Sequence, residues 1–298
     1  MKICVIDIGS NTVKASVFKL LNNGRRNVEG YKGFKAKLVA LIDEKDNGRF
    51  LSNEGKDVLY NSFGELIAYS EELNCDRVYA FATASLRNVS NSNEVLEEIE
   101  RRFGVKVEIL SGEEEALCSL RGLLSDECAE GVNEGVMIDM GGGSTEVVYF
   151  SNGIEPIIRS LNFGCLSLYK RFVKGEFPTS IERENVEKYV KKELVACDYV
   201  KSLDVPVFLI GGSARAVLKL ASSKGRTLRA NGSDFESVLT YFDDKDAADR
   251  AENIIPGRVT TVCPAAIAYN TLIKFICAKS VTVSESGVRE GYLEKILP

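Results

Sequence analysis

A chain of 298 residues with a net charge of -5 and 27% charged residues has no overall bias toward nucleic acid or anionic membranes, so any polyanion must be drawn in by local basic groups. Its length suits about two domains, each able to bury a core. The complete lack of histidine excludes Ser-His-Asp and Cys-His nucleophile systems, a histidine general base and histidine metal ligands, leaving acid–base work mainly to Asp, Glu, Lys, Tyr or Cys.

In chain order, the apolar run Ile3 to Ile6 predicts a first strand over 2–6, and the alternation Val13 to Leu20 a second over 13–20. One or two strands fall within 28–42. A helix over about 54–73 follows, carrying Val58, Leu59, Phe63, Leu66, Ile67 and Leu73 at the helical period. Then come a strand 77–82, a helix 92–103, a strand 106–110 and a helix from Ser111, an order of βββαβαβα. The pattern restarts with strands 135–139, 145–150 and 154–161, helices near 165–172 and 181–197, and a strand 205–210. Helices over 213–222, 234–242 and about 264–277, a strand 280–283 and a helix 288–296 close the chain. Similar element order twice over predicts two copies of one unit, residues 1–124 and 125–298, with a hinge at the polar segment Leu124 to Glu134. The last helix is free to pack back on the first lobe.

Asp7 interrupts the first apolar run too early for a signal peptide. The stretch Val259 to Ala278 is apolar, but Pro264, Asn270 and Lys274 sit inside it, so a buried core helix is expected and no membrane partner. Eight scattered cysteines without a C-x-x-C pair read as small buried hydrophobes in a reducing cytosol.

Chemistry concentrates at two near-repeated turns. Asp7-Ile8-Gly9-Ser10-Asn11 and Asp139-Met140-Gly141-Gly142-Gly143-Ser144-Thr145-Glu146 each follow an apolar strand and precede another. Glycines there let backbone N–H groups converge into an anion nest, and each aspartate offers a hard oxygen ligand for magnesium riding on phosphates. Neither turn is a Rossmann fingerprint or a Walker loop, because strand-like alternation rather than a helix follows and no G-K-[ST] occurs. Strand-to-strand hairpins of this type, one per lobe, point to an α/β fold of two actin-like or ribonuclease H-like lobes around a central cleft, as in the actin, Hsp70 and sugar-kinase superfamily. Gly211-Gly212-Ser213 at a strand end fits that fold and equally fits a plain strand-to-helix turn capped by Ser213. In Ser111-Gly112-Glu113-Glu114-Glu115-Ala116, Ser111 and Glu114 form a capping box; the three carboxylates diverge around the helix, so one can serve a separate purpose.

Together with Phe81-Ala82-Thr83-Ala84-Ser85-Leu86-Arg87, Asn91, Asn162 to Cys165, Asp249 to Glu252 with Ile255-Pro256-Gly257, and Ser286 to Gly291, these motifs resemble the exopolyphosphatase/guanosine pentaphosphate phosphatase (Ppx/GppA) family in order along nearly the whole chain. The resemblance implies a magnesium-dependent hydrolase that removes the terminal phosphoryl group of inorganic polyphosphate or guanosine pentaphosphate, in the cytoplasm, without DNA as a partner; it admits a homodimer. It implies Glu115 as general base, Glu146 as second carboxylate, and Asp7, Asp139 and Glu146 around the metal. Arg87, Gly9, Ser10, Asn11, Lys14, Gly141 to Thr145, Gly211 to Ser213 and Arg250 would bind phosphate. Lys14 stands where many members have arginine, and Lys35-Ala36-Lys37-Leu38-Val39-Ala40-Leu41 replaces the usual V-R-L-G-E-G-L run. The resemblance implies the short, two-lobed form, and closure of the lobes on substrate is expected. The alternative is a weakly catalytic or non-catalytic sensor of polyphosphate or alarmone; a sugar or acetate-type kinase is a third reading.

Overall fold

The computed structural model describes residues 1–21, 26–46, 48–221, 229–230, 232–242 and 246–297. Residue 222 of the expected helix 213–222 and residue 298 lie outside the described residues. The chain divides into two compact units, Met1–Glu115 and Ala116–Pro298. The division falls inside a helix, so the segment 124–134 belongs to the second unit instead of linking the two.

In the first unit, β1 (Lys2–Ile8), β2 (Val13–Leu20) and β3 (Arg26–Phe34) form an antiparallel meander, followed by a 3-10 turn Leu38–Leu41 and the hairpin β4 (Ile42–Lys45) and β5 (Gly48–Leu51). Helix α1 (Asn53–Glu72) begins where the Ser52 side chain accepts from Gly55 N–H, a regular N-cap. Then come β6 (Arg77–Ala82), the single turn α2 (Ala84–Arg87), α3 (Ser92–Phe103), β7 (Val107–Ile109) and α4 (Gly112–Leu124). The sheet order is β3-β2-β1-β6-β7, with β1, β6 and β7 parallel. Its buried face, from Ile6, Ile8, Val13, Ala15 and Val17, packs with Leu59, Phe63 and Leu66 of α1 and Val95 and Ile99 of α3. The β4–β5 hairpin is an element that the periodicity did not predict.

The second unit repeats this plan. Strands β8 (Glu134–Met140), β9 (Thr145–Ser151) and β10 (Ile157–Leu161) form the meander, and α5 (Cys165–Phe172), α6 (Ser180–Glu193), β11 (Pro206–Ile210) and α7 (Gly211–Ala221) follow. Next are β12 (Arg229–Ala230), α8 (Gly232–Tyr241), α9 (Ala247–Ile254), α10 (Val259–Ile276), β13 (Ser280–Val283) and α11 (Val288–Ile296). The sheet order is β10-β9-β8-β11-β13-β12, again with a parallel trio, β8, β11 and β13. Helix α10 starts five residues before its expected position, at Val259, and leaves Pro264 inside the helix. It is long and apolar enough to cross a membrane, but 72% of it is buried within the unit, and Cys263, Ala266, Tyr269 and Leu272 lie in the second core. It is a core helix, as its sequence predicts. Helix α9 is an unpredicted element.

Helices α4 and α11 meet at glycines. A Cβ on Gly291 would lie 1.6 Å from the Cys118 carbonyl oxygen, and one on Gly122 would lie 2.2 Å from that of Gly287. Below this crossing, Asp126 clasps the entry to α11. Its carboxylate accepts from Ser284 Oγ at 2.6 Å, Ser286 N–H at 3.1 Å and Cys128 N–H at 3.1 Å. Burial, the largest single influence, opposes its ionisation, but the hydrogen bonds from Ser284, Cys128 and Ser286 together outweigh it and hold the carboxyl below the usual 3.8. A depressed folded pKa contributes stability that is present above the unfolded pKa and lost as pH falls through the folded one. The melting temperature of wild type should therefore exceed that of Asp126→Asn at neutral pH, with the gap closing as pH falls below about 4. A gap that stays constant down to pH 3 in thermal melts would show that ionisation of Asp126 contributes nothing.

None of the eight cysteines is in a disulfide, and five are buried. Burial pushes the Cys4 thiol up to about 12, and burial with the nearby Asp126 does the same at Cys128, so these two thiols are unreactive.

Candidate active site

In both units the chemistry-bearing residues follow the C-terminal ends of the parallel trio, the region where open α/β sheets bind ligands. In the first unit β1 leads into Gly9–Asn11, β6 into Arg87 and β7 into Glu115. In the second, β8 leads into Gly141–Ser144, β11 into Gly211–Ser213 and β13 into Ser284–Arg289.

The two glycine turns close identically: Gly9 N–H donates to Thr12 O and Gly141 N–H to Ser144 O, each at 3.0 Å. In the second, the loop carbonyls are claimed by the first turn of α5. Cys165 N–H donates to Gly141 O at 3.0 Å; Leu166 and Ser167 donate to Gly142 O at 3.0 and 2.9 Å. The loop lies so close to α5 that a Cβ on Gly164 would fall 2.5 Å from Gly141 O and 2.7 Å from Gly143 N. With their carbonyls held by α5, the loop peptides are set to present N–H groups to an anion. Thr145 and Ser213 are buried, their hydroxyls donating to Phe163 O at 2.7 Å and Cys165 Sγ at 3.3 Å. Both thus brace the loop from within. Gly211 needs its glycine twice over: its φ is +93°, and a Cβ would lie 3.2 Å from Asp139 Oδ1.

The turns differ in charge. Asp7 is directly opposed across β1 and β2 by Lys14, whose Nζ sits 3.1 Å from Asp7 Oδ2. At the same register in the second unit Asp139 is opposed by Glu146. Like charges directly opposed on neighbouring strands repel. Each acid is held by a serine, Ser119 Oγ donating to Asp139 Oδ2 at 2.7 Å and Ser160 Oγ to Glu146 Oε1 at 2.9 Å. Two opposed carboxylates with hard oxygens suit a divalent cation such as magnesium, which takes one or two carboxylates and fills its shell with water and phosphate oxygens. No group of three or more Cys, Asp or Glu with metal-holding geometry occurs among the described residues, so such an ion would be held by few protein ligands. Asp7, also expected near the metal, is neutralised by its own lysine.

Glu115 stands on the first turn of α4, whose capping box forms as expected, Ser111 N–H donating to Glu114 at 2.9 Å and Glu114 N–H to Ser111 Oγ at 3.1 Å. Arg87 Nη1 donates to Glu115 Oε2 at 3.2 Å and to Leu110 O at 2.7 Å. The segment bearing Arg87 is pinned to β1 by Ser85 Oγ, which donates to Ile8 O at 2.7 Å. Asn91 pairs with both backbone groups of Leu51, at 2.9 and 3.0 Å, and so holds the β4–β5 hairpin.

Arg250 is exposed on α9. The arginine beside Gly212 is Arg258, at the N-terminus of α10; a Cβ on Gly212 would lie 2.2 Å from its Nη2. Arg215 on α7 donates to Ser284 O at 3.4 Å, and desolvation, then Arg289, with Arg258 adding, lowers its guanidinium below the usual value. Sequence reasoning missed Arg215, Arg258, Ser119 and Ser160. Arg258 directly follows the Ile255-Pro256-Gly257 motif, a signal that could have found it; the serines carry none.

The profile of the Ppx/GppA phosphatase family matches residues 32–298. The chain is 27% identical over 298 residues to guanosine-5'-triphosphate,3'-diphosphate pyrophosphatase of Aeromonas salmonicida (strain A449), covering 98% of this chain but 58% of that relative. It is 25% identical over 312 residues to exopolyphosphatase 1 of Mycobacterium leprae (strain TN), covering 98% and 88%. The crystal structure of the Aquifex aeolicus member of the Ppx/GppA family superposes with a TM-score of 0.83 at 22% identity, covering 99% of this chain and 97% of that one. An exopolyphosphatase from Cytophaga hutchinsonii superposes at 0.84 and 19% identity, with coverage of 99% and 97%. These likenesses show the fold.

Proposed function

From the premise that the chain belongs to the Ppx/GppA phosphatase family, we propose that it removes the terminal phosphoryl group from inorganic polyphosphate or guanosine pentaphosphate, with magnesium as cofactor. The observation that carries this reading is the Arg87–Glu115 pair at 3.2 Å: a carboxylate that can take a proton, adjoined by a guanidinium that can grip the phosphate bearing the reacting phosphorus.

Water attacks the terminal phosphorus as Glu115 accepts its proton. The bond from phosphorus to the bridging oxygen breaks, and that oxygen leaves with the shortened chain. Products are orthophosphate and a chain one phosphate shorter. Arg87 orients the phosphoryl group, and the resemblance to the family assigns the amides of Gly142, Gly143 and Ser144 to binding phosphate oxygens. Asp139 and Glu146 would hold magnesium, which supplies charge neutralisation on the phosphates when bound. Arg258, which lies beside Gly212, joins Arg250 among the phosphate-binding groups in this reading. The proposed setting is the cytoplasm, which keeps thiols reduced, in keeping with eight cysteines outside disulfides.

Orthophosphate release from both substrates across a magnesium titration tests the reading. Release should require magnesium, and Arg87→Ala should raise the KM for polyphosphate at least tenfold, the loss of one charge-assisted phosphate contact. Phosphate release unaffected by chelation, or an unaltered KM in Arg87→Ala, would overturn it.

A further inference from the structure

The backbone of the segment 35–41 is bound to the first glycine turn. Lys37 N–H donates to Asn11 O at 2.9 Å and Val39 N–H to Ser10 O at 3.1 Å. These bonds occupy the turn's carbonyls, as α5 does in the second unit. They also fix the Lys37 Cα within a residue's width of Asn11.

Lys37 holds a left-handed backbone, φ 48° and ψ 37°, which is strained for any residue with a Cβ. A turn that needed only the geometry would be better served by glycine. Its side chain is exposed, and it forms no ion pair among the described residues. Of the neighbouring lysines, Lys14 is paired with Asp7 at 3.1 Å, whereas Lys35, two residues before Lys37, is exposed like it. A polyanion resting on the Ser10 and Asn11 amides would therefore meet the Lys37 ammonium, which forms no ion pair among the described residues, on a flexible four-carbon stem.

We infer that Lys37 is a specificity-determining contact to the phosphate chain, gripping a phosphate at the Gly9–Asn11 turn. The inference rests on the proposed function. It gives a reason for a lysine at a backbone position that favours glycine: the strain is accepted for the charge.

Lys37→Gly separates the two roles because backbone and charge pull in opposite directions. It relieves the left-handed strain, so the melting temperature should hold or rise, while the KM for polyphosphate rises about five-fold, the worth of one solvated ion pair. The salt dependence of log KM should become shallower. Lys37→Asn, which tolerates the same backbone, should match it, and Lys37→Arg should restore KM. Unaltered KM and salt dependence in both neutral variants, with Arg87→Ala still raising KM, would overturn the role of Lys37 alone. If Arg87→Ala also left KM unaltered, the functional reading would fall with it. A fall in melting temperature with KM unaltered would assign Lys37 a structural role only.

Discussion

Glu115→Gln should lower turnover by on the order of 10²–10⁴, the range for loss of a general base, while polyphosphate binds at least as well as to wild type. The two halves of this expectation have separate causes. The amide cannot take a proton from water, so the chemical step slows. It also removes a negative charge from beside a polyanion site and frees Arg87 Nη1, now 3.2 Å from the carboxylate, to turn wholly to phosphate. Glu113→Gln and Glu114→Gln are the controls. Glu114 is held by the capping box, so its loss should act on stability rather than rate, by about 1 kcal/mol or less. Single-turnover phosphate release with a parallel binding assay checks the prediction. Near-normal turnover in purified Glu115→Gln would move the role of base elsewhere, with Glu146 the next candidate.

Glu146→Gln should abolish the response to metal and yet raise stability in its absence. Asp139 and Glu146 are directly opposed across β8 and β9, so without a cation they repel, an effect that Arg215, close enough to feel Asp139, offsets in part. Cross-strand pairs of this kind contribute on the order of 0.2–1 kcal/mol. Neutralising one acid relieves that repulsion but removes an oxygen with full charge from the cation. Melting temperatures in chelator and in millimolar magnesium should therefore cross over: wild type gains on adding magnesium, and Glu146→Gln starts higher and does not move. Asp139→Asn should lose the metal response as well. A Glu146→Gln protein that melts lower in chelator and still responds fully to magnesium would show that the pair is not a cation site.

The extent to which these residues could be read in advance differs by kind. The meander strands, α1, α3, α11 and the capping box at Ser111 were legible because each rests on neighbours in sequence: alternation, the helical period, or a hydroxyl three residues from a glutamate. The β4–β5 hairpin was missed, because its strands are four residues each and mostly solvent-facing, and so carry no apolar period. The start of α10 was placed late, at about 264 instead of Val259. Burial of the helix within the second core tolerates a proline inside it.

By itself, the sequence determined the two-unit α/β plan, both glycine turns, the absence of histidine chemistry and the presence of Glu115, Glu146 and Arg87 in ordered motifs. Those follow from local pattern and residue type. Only the tertiary structure decided which charges face each other. Lys14 answers Asp7 and Glu146 answers Asp139 through strand register, which hydrogen bonding between strands sets. Ser119 reaches Asp139 from α4 across twenty residues, and Lys37 reaches Asn11 from a loop beyond β3. Arg258 lies against Gly212 from the start of α10. Such pairings carry no sequence period, because they depend on where separate elements come to rest once their apolar faces are buried; the chemistry is local in type but long-range in arrangement.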